Sequence, residues 1–343
     1  MGASGLTLTG HSSITTMVKE ASVIVDNTIG IKKGEKVTIA KDSGRTIEAE
    51  VLASVSNARG AEVLVVDISP YVIPWQTGRY ADPPEHFKEL VKSSNVTLVV
   101  TDQEFSQRFS HSVHHFLNQT EECSVYQIDE GMGTWDYSAE DALLIADRSK
   151  QIMNAFRSAK TVRVTSPGGT NVTLSIERRD CLPVTPIMPR APTQSATPIP
   201  LWGELNWAPI EDLTEGRVII DGILMRSNSE SAVNNPVEWI VKGGRIVKVS
   251  GGKEADDFRK ALEAADENAY VIGELGIGTG HKARFGRMEE KGRLGTVHLG
   301  VGNNKGVYPG GTNVSKIHGD GSIRNVTVEV DGRKIIEREE VLL

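Results

Sequence analysis

The sequence predicts an α/β N-terminal domain built on a parallel sheet, followed by an α+β, mostly β, C-terminal domain that binds metal. Three observations carry this. Strand-like and helix-like segments alternate up to about residue 159, and such alternation produces a parallel sheet covered by helices. Beyond Lys160 the chain reads as short β-branched runs punctuated by Ser-Pro-Gly-Gly, Gly-Gly and Asp-Gly turns. Its last quarter, Gly273 to Asp320, concentrates glutamate, histidine and aspartate among glycines. The expected domains are therefore 1–159, a scaffold, and 160–343, which carries the site.

Helical spacing from Ile14 to Val25 places Met17, Ala21, Val23 and Ile24 on or near one face. Lys33-Gly34 turns the chain into a strand, Lys36 to Ala40. Asp42 or Ser43 caps a helix from Thr46 to Ala58, and Gly60 ends it. A strand from Glu62 to Asp67 follows, then a helix from Pro84 to Lys92, strands at Val96–Thr101 and Ser124–Ile128, and a helix from Ala139 to Ala159. No G-x-G-x-x-G follows the first strand, so a dinucleotide fold is not expected. This half is expected to serve as scaffold, dimer contact or substrate wall. His111 and His115 have i, i+4 spacing but lack the zincin glutamate, so they and His114 are assigned to the surface or an interface.

Thr161 to Glu177 reads as a hairpin, and the proline-rich stretch Cys181–Pro200 as a linker or crossing loop. From Gly216 onward the pattern is β, interrupted by one helix from Lys253 to Ala265 with Phe258, Leu262 and Ala265 on one face.

Composition bounds the function. The 343 residues carry a net charge of −7, which argues against nucleic acid as the main partner. Cys123 and Cys181, the only cysteines, suit buried thiols in a reducing cytoplasm. Met1 to Thr16 has no signal-peptide pattern. No apolar run approaches the ~20 residues that span a membrane. A soluble, cytoplasmic protein is expected.

Glu274, His298 and the pair His318/Asp320 are the candidate metal ligands. The His-x-Asp spacing puts both side chains on one face of a strand end. Imidazole mixed with carboxylate suits a catalytic divalent cation, and two cysteines cannot build a thiolate site.

These residues carry a resemblance. The tail is similar to the M29 metallopeptidases, the thermophilic aminopeptidase T group, whose motifs run E-E-V-F-T-A-P, G-E-x-A-x-G, D-E-K, G-T-x-H-x-x-x-G and G-G-x-N-x-S-x-x-H-x-D. Here Gly203 to Pro209, Gly273-Glu274, Glu289-Glu290-Lys291, Gly295 to His298 and Gly310 to Asp320 stand in those places. The resemblance implies five ligands, Glu204, Glu274, His298, His318 and Asp320, holding two divalent ions (Zn, Co or Mn). It also implies Glu290 as general base on a metal-activated water, a small-molecule or peptide substrate and, from the family's habit of pairing, a homodimer. The family's tyrosine position is occupied by Lys305, and Tyr308 stands three residues later, as a candidate donor to an oxyanion. The same superfamily includes 2,5-dihydroxypyridine 5,6-dioxygenase. That relation implies an alternative, a non-haem Fe(II) ring-cleaving enzyme with Glu274, His318 and Asp320 as its triad. A non-catalytic metal-binding scaffold is the third reading.

Overall fold

The computed structural model describes residues 14–71, 84–101, 123–128, 132–187, 197–198, 202–226 and 229–343. They fall into two units, one of residues 1–143 with 186–201, the other of 144–185 with 202–343.

The first unit is a parallel sheet. Strands β1 (Lys36–Lys41), β2 (Glu62–Asp67), β3 (Val96–Val100), β4 (Ser124–Ile128) and the two-residue β8 (Thr197–Pro198) lie in the order β2-β1-β3-β4-β8. Every pairing is parallel. The inner strands β3 and β4 are buried along their whole length, as a sheet covered on both faces requires. The first helix begins as expected at Ile14 but continues past Ser22 as a π-helical turn to Ile29. It ends at Gly30, whose φ of 66° is the left-handed cap that glycine adopts without strain. Inside this unit the buried Glu20 carboxylate accepts from the backbone N–H groups of Gly133, Trp135 and Asp136.

The second unit is two antiparallel sheets. The eight-stranded one runs β14-β13-β10-β6-β5-β18-β19-β20. Its members are β5 (Thr161–Thr165), β6 (Asn171–Ser175), β10 (Glu215–Ile220), β13 (Val237–Lys242), β14 (Arg245–Ser250), β18 (Thr327–Val330), β19 (Arg333–Glu337) and β20 (Glu340–Val341). The seven-stranded sheet runs β12-β11-β17-β16-β15-β9-β7. It comprises β7 (Leu182–Val184), β9 (Glu204–Trp207), β11 (Ile223–Arg226), β12 (Ser229–Ala232), β15 (Ile272–Gly278), β16 (Val297–Gly302) and β17 (His318–Ile323). Trp239 stacks on Phe258 of the helix Lys253–Ala265 with ring centroids 4.9 Å apart. Gly321 of β17 lies so close to this layer that a Cβ would be 2.7 Å from Ile220 and Trp239. One face of β17 is therefore core.

The segment expected as a linker or crossing loop, Cys181–Pro200, includes two strands: β7 pairs with β9, and β8 joins the parallel sheet. Pro183 and Pro198 lie on these edge strands, where a missing N–H is tolerated. Both cysteines are free thiols, and burial pushes them up to about 11 for Cys123 and about 12 for Cys181. Among the described residues no helix is long and apolar enough to cross a membrane.

Candidate metal centre

Three neighbouring strands, β15, β16 and β17, set the site by register. Glu274 pairs with Gly300, and Gly300 pairs with Asp320; His298 pairs with Gly276 on one side and Ser322 on the other; His318 pairs with Gly302. Cross-strand partners share a face, so Glu274, His298, His318 and Asp320 emerge together. The glycines between them supply the room. A Cβ on Gly300 would lie 2.6 Å from Glu274 Oε2 and 3.0 Å from Asp320 Oδ1, and one on Gly276 would overlap the His298 ring. A bulge at Gly273 shifts the β15 register so that Ile272 opposes Val301 while Glu274 opposes Gly300. Were the Ile272 register to continue unbulged, Glu274 would oppose Leu299, and its carboxylate would turn to the other face.

Glu274, His298 and Asp320 are buried, and they offer ligand atoms within 4.8 Å of one another, a triad able to hold a metal ion. Glu274 faces both histidines. Its Oε1 lies 3.1 Å from His298 Nε2, and its Oε2 lies 2.9 Å from His318 Nε2. His318 Nε2 is also 3.4 Å from Asp320 Oδ1. His318 Nδ1 faces the Asn303 carbonyl at 2.9 Å. In the neutral ring that contact keeps the proton on Nδ1 and the lone pair on Nε2, aimed at the carboxylates.

The charges brace one another. Burial and Asp320 push the Glu274 carboxyl up, but the two imidazoles outweigh them and hold it down at about 2. Burial alone would lower His298, yet Glu274, Glu204 and Asp320 raise it to about 9. Asp320 is held well below its ordinary value, against burial, by Lys291, His318 and His298.

The other expected site residues divide. Glu204, on β9, pairs with Gly278 and faces the same side. Burial raises its pKa, and the His298 and Lys291 charges act on it in the opposite sense. Tyr308 reaches the site, with its hydroxyl 3.3 Å from His318 Nε2. Glu290 is engaged elsewhere. Its Oε1 accepts from Ser322 Oγ (3.1 Å) and Arg324 Nε (2.8 Å), and its Oε2 accepts from Gly286 N (2.6 Å) and Arg324 Nη2 (2.6 Å). A carboxylate with about four acceptor sites has none left for a water, so this pairing gives the expected base role no support. The neighbouring cations Lys291 and Arg293 pair with Asp320 and Glu339. His111, His114 and His115 lie outside the described residues.

Two residues were missed. Lys291 Nζ lies 2.6 Å from Asp320 Oδ2 and 3.9 Å from Glu230 Oε2. Its motif position was visible, but not its direction. Glu230 sits on the edge strand β12, far from every motif, and no local signal marks it.

The donor set fits a cation. Glu204 Oε2 is buried without a hydrogen-bond partner, and Glu274 Oε2 and Asp320 Oδ1 make no aligned hydrogen bond although His318 Nε2 lies 2.9 Å and 3.4 Å away. Buried carboxylate oxygens left short of donors are costly unless a positive charge satisfies them. The site on the seven-stranded sheet defines a candidate metal-binding protein. A family model described as NicX, 2,5-dihydroxypyridine 5,6-dioxygenase, matches residues 144–342, and the chain belongs to that family. Two solved structures share the fold. 2,5-Dihydroxypyridine dioxygenase from Pseudomonas putida KT2440 has a TM-score of 0.69 at 15% identity over 96% of each chain. Wild-type AmpT from Thermus thermophilus has a TM-score of 0.68 at 13% identity, over 96% of this chain and 100% of its own. A search of curated proteins finds no match.

Proposed function

We propose that the protein is a metal-dependent hydrolase of amide bonds, aminopeptidase-like, that uses two divalent cations held by Glu204, Glu274, His298, His318 and Asp320. One observation carries this reading: the Glu274 carboxylate turns one oxygen to each histidine, at 3.1 Å and 2.9 Å. Glu204 and His298 would hold one divalent cation and His318 and Asp320 a second, with Glu274 as a further ligand. When bound, the cations supply Lewis acidity and lower the pKa of water to near neutrality. The chain's own groups do the rest. The Tyr308 phenol donates a hydrogen bond to the oxyanion that forms as water adds to the amide carbonyl. Glu230, half-buried and with its Oε2 atom buried, takes the water's proton and returns it to the departing amine as the C–N bond breaks. Burial raises its pKa, although Lys291 pulls the other way. Lys291 holds Asp320 in place.

A second reading is a mononuclear Fe(II) ring-cleaving dioxygenase. The family match over residues 144–342 favours it. So does Lys291, which occupies Asp320 Oδ2 at 2.6 Å and leaves one oxygen for a metal.

The deciding experiment is metal analysis of protein purified without added metal, with paired assays. Two equivalents of zinc, cobalt or manganese and release of 4-nitroaniline from aminoacyl 4-nitroanilides are expected. One iron per chain, with oxygen uptake on 2,5-dihydroxypyridine and no amide hydrolysis, would overturn the hydrolase.

A further inference from the structure

The segment after β16, Asn303 to Asn313, carries Tyr308 and has no regular structure of its own. Its backbone is gathered instead on one side chain. Asn304 is fully buried. Its Oδ1 accepts from Asn313 N at 2.8 Å, and its Nδ2 donates to Glu211 Oε1 and to the Gly273 carbonyl, each at 3.1 Å. Glu211 Oε1 also accepts from Thr312 N at 2.8 Å, while Arg179 fixes its other oxygen at 2.6 Å. The Asn304 carbonyl accepts from Val307 N and Tyr308 N, and Gly311 N closes back on the Tyr308 carbonyl at 3.0 Å. The Pro-Gly-Gly run has a physical reason here. A Cβ on Gly311 would lie 2.5 Å from the Asn304 carbonyl oxygen, and one on Gly310 would lie 3.0 Å from Arg179 Cδ.

We infer that Asn304 is a positioning residue: with Glu211 it holds the loop that keeps the Tyr308 hydroxyl against His318, and it ties that loop to the Gly273 bulge beside Glu274. Every polar atom of its amide faces a named partner. One end of the clamp is the tyrosine loop, and the other is the residue that turns Glu274 onto the site face. The proposal rests on the reading of Tyr308 as an oxyanion donor only for its kinetic consequence, because the clamp itself is a statement about loop order.

The test uses the full-length protein with Asn304→Ala, Glu211→Gln, Tyr308→Phe and Asn304→Ala/Tyr308→Phe. Hydrogen exchange read by mass spectrometry should rise about tenfold or more in peptides covering 305–313 of Asn304→Ala, equal to about 1.4 kcal/mol of local opening, while β16 and β17 peptides stay unchanged. Glu211→Gln, a milder change, should loosen the same peptides less, and it carries the test if Asn304→Ala does not fold. On an aminoacyl 4-nitroanilide, Asn304→Ala should lower kcat by about the same factor as Tyr308→Phe, on the order of 10²-fold, with KM little changed. The double variant should fall no further, because both changes remove one interaction. Unchanged exchange over 305–313 in both Asn304→Ala and Glu211→Gln overturns the clamp. Fully multiplicative losses overturn the link to Tyr308. A Tyr308→Phe protein with normal kcat removes the oxyanion role and leaves the exchange result to decide the clamp.

Discussion

Glu274 and Gly300 are cross-strand partners, and the glycine's bare Cα is what leaves the Glu274 carboxylate its place: a Cβ there would lie 2.6 Å from Oε2. Asp320 flanks the same glycine from β17. Gly300→Ala should therefore push both carboxylates aside. We expect metal affinity to fall about 10- to 100-fold, the range for disturbed ligand support, with far-UV circular dichroism unchanged. Equilibrium dialysis against a divalent metal reads this directly. Full affinity in the alanine variant would mean that the cation sits away from Glu274.

His298→Ala decides between one cation and two. In the dinuclear reading it should lower metal content from two equivalents to about one without unfolding the chain, because His318 and Asp320 remain. Activity should drop by several orders of magnitude as positioning and electrostatic stabilisation are lost together. If the variant keeps its full metal content, the dinuclear hydrolase should be abandoned.

Metal binding should depend on pH with a known sign. Without metal, His298 is raised to about 9 by its carboxylate neighbours, so at pH 7 it is protonated and must give up its proton to a cation. Apparent affinity should climb with pH as His298 and His318, the latter also held well above its ordinary value, against burial, by Asp320 and Glu274, lose their protons, and binding at pH 7 should release protons into weak buffer. In the metal-free protein the same shift acts on stability in reverse. The His298 contribution is complete below its unfolded pKa, near 6.5, and is lost as pH rises through about 9. Calorimetry in two buffers of different ionisation heat tests the proton count; no release would refute the shift.

Arg324 and Glu290 should matter for stability more than for metal. Glu290 is fully buried, and Arg324 holds both its oxygens. Arg324→Met leaves that charge uncompensated, which costs on the order of 3 kcal/mol and should lower Tm by several degrees. The folded fraction should bind metal normally. A variant that kept its Tm but lost metal would return Glu290 to the site.

Much of this was legible beforehand. The alternation of strand and helix in the first half announced the parallel sheet, since period and punctuation are local properties. Glu274, His298 and Asp320, which meet as a group able to hold a metal ion, were legible as acids and a histidine set among glycines. The glycines around the ligands were legible only as neighbours, whereas Gly276 and Gly300 lie mid-strand as spaces opposite large side chains. Nothing in a single strand says what stands across from it.

Residue identity alone determined that the chain carries a carboxylate-imidazole set and no thiolate site. Tertiary structure decided which of those groups meet. It brought Tyr308 to His318 through a loop folded on Asn304, turned Lys291 toward Asp320, and engaged Glu290 with Arg324. It also placed Glu230 of β12 beside Lys291. The physical reason is that strand register and side-chain direction are set by pairings between segments far apart in the chain, and a one-residue bulge at Gly273 is enough to change the face on which Glu274 stands.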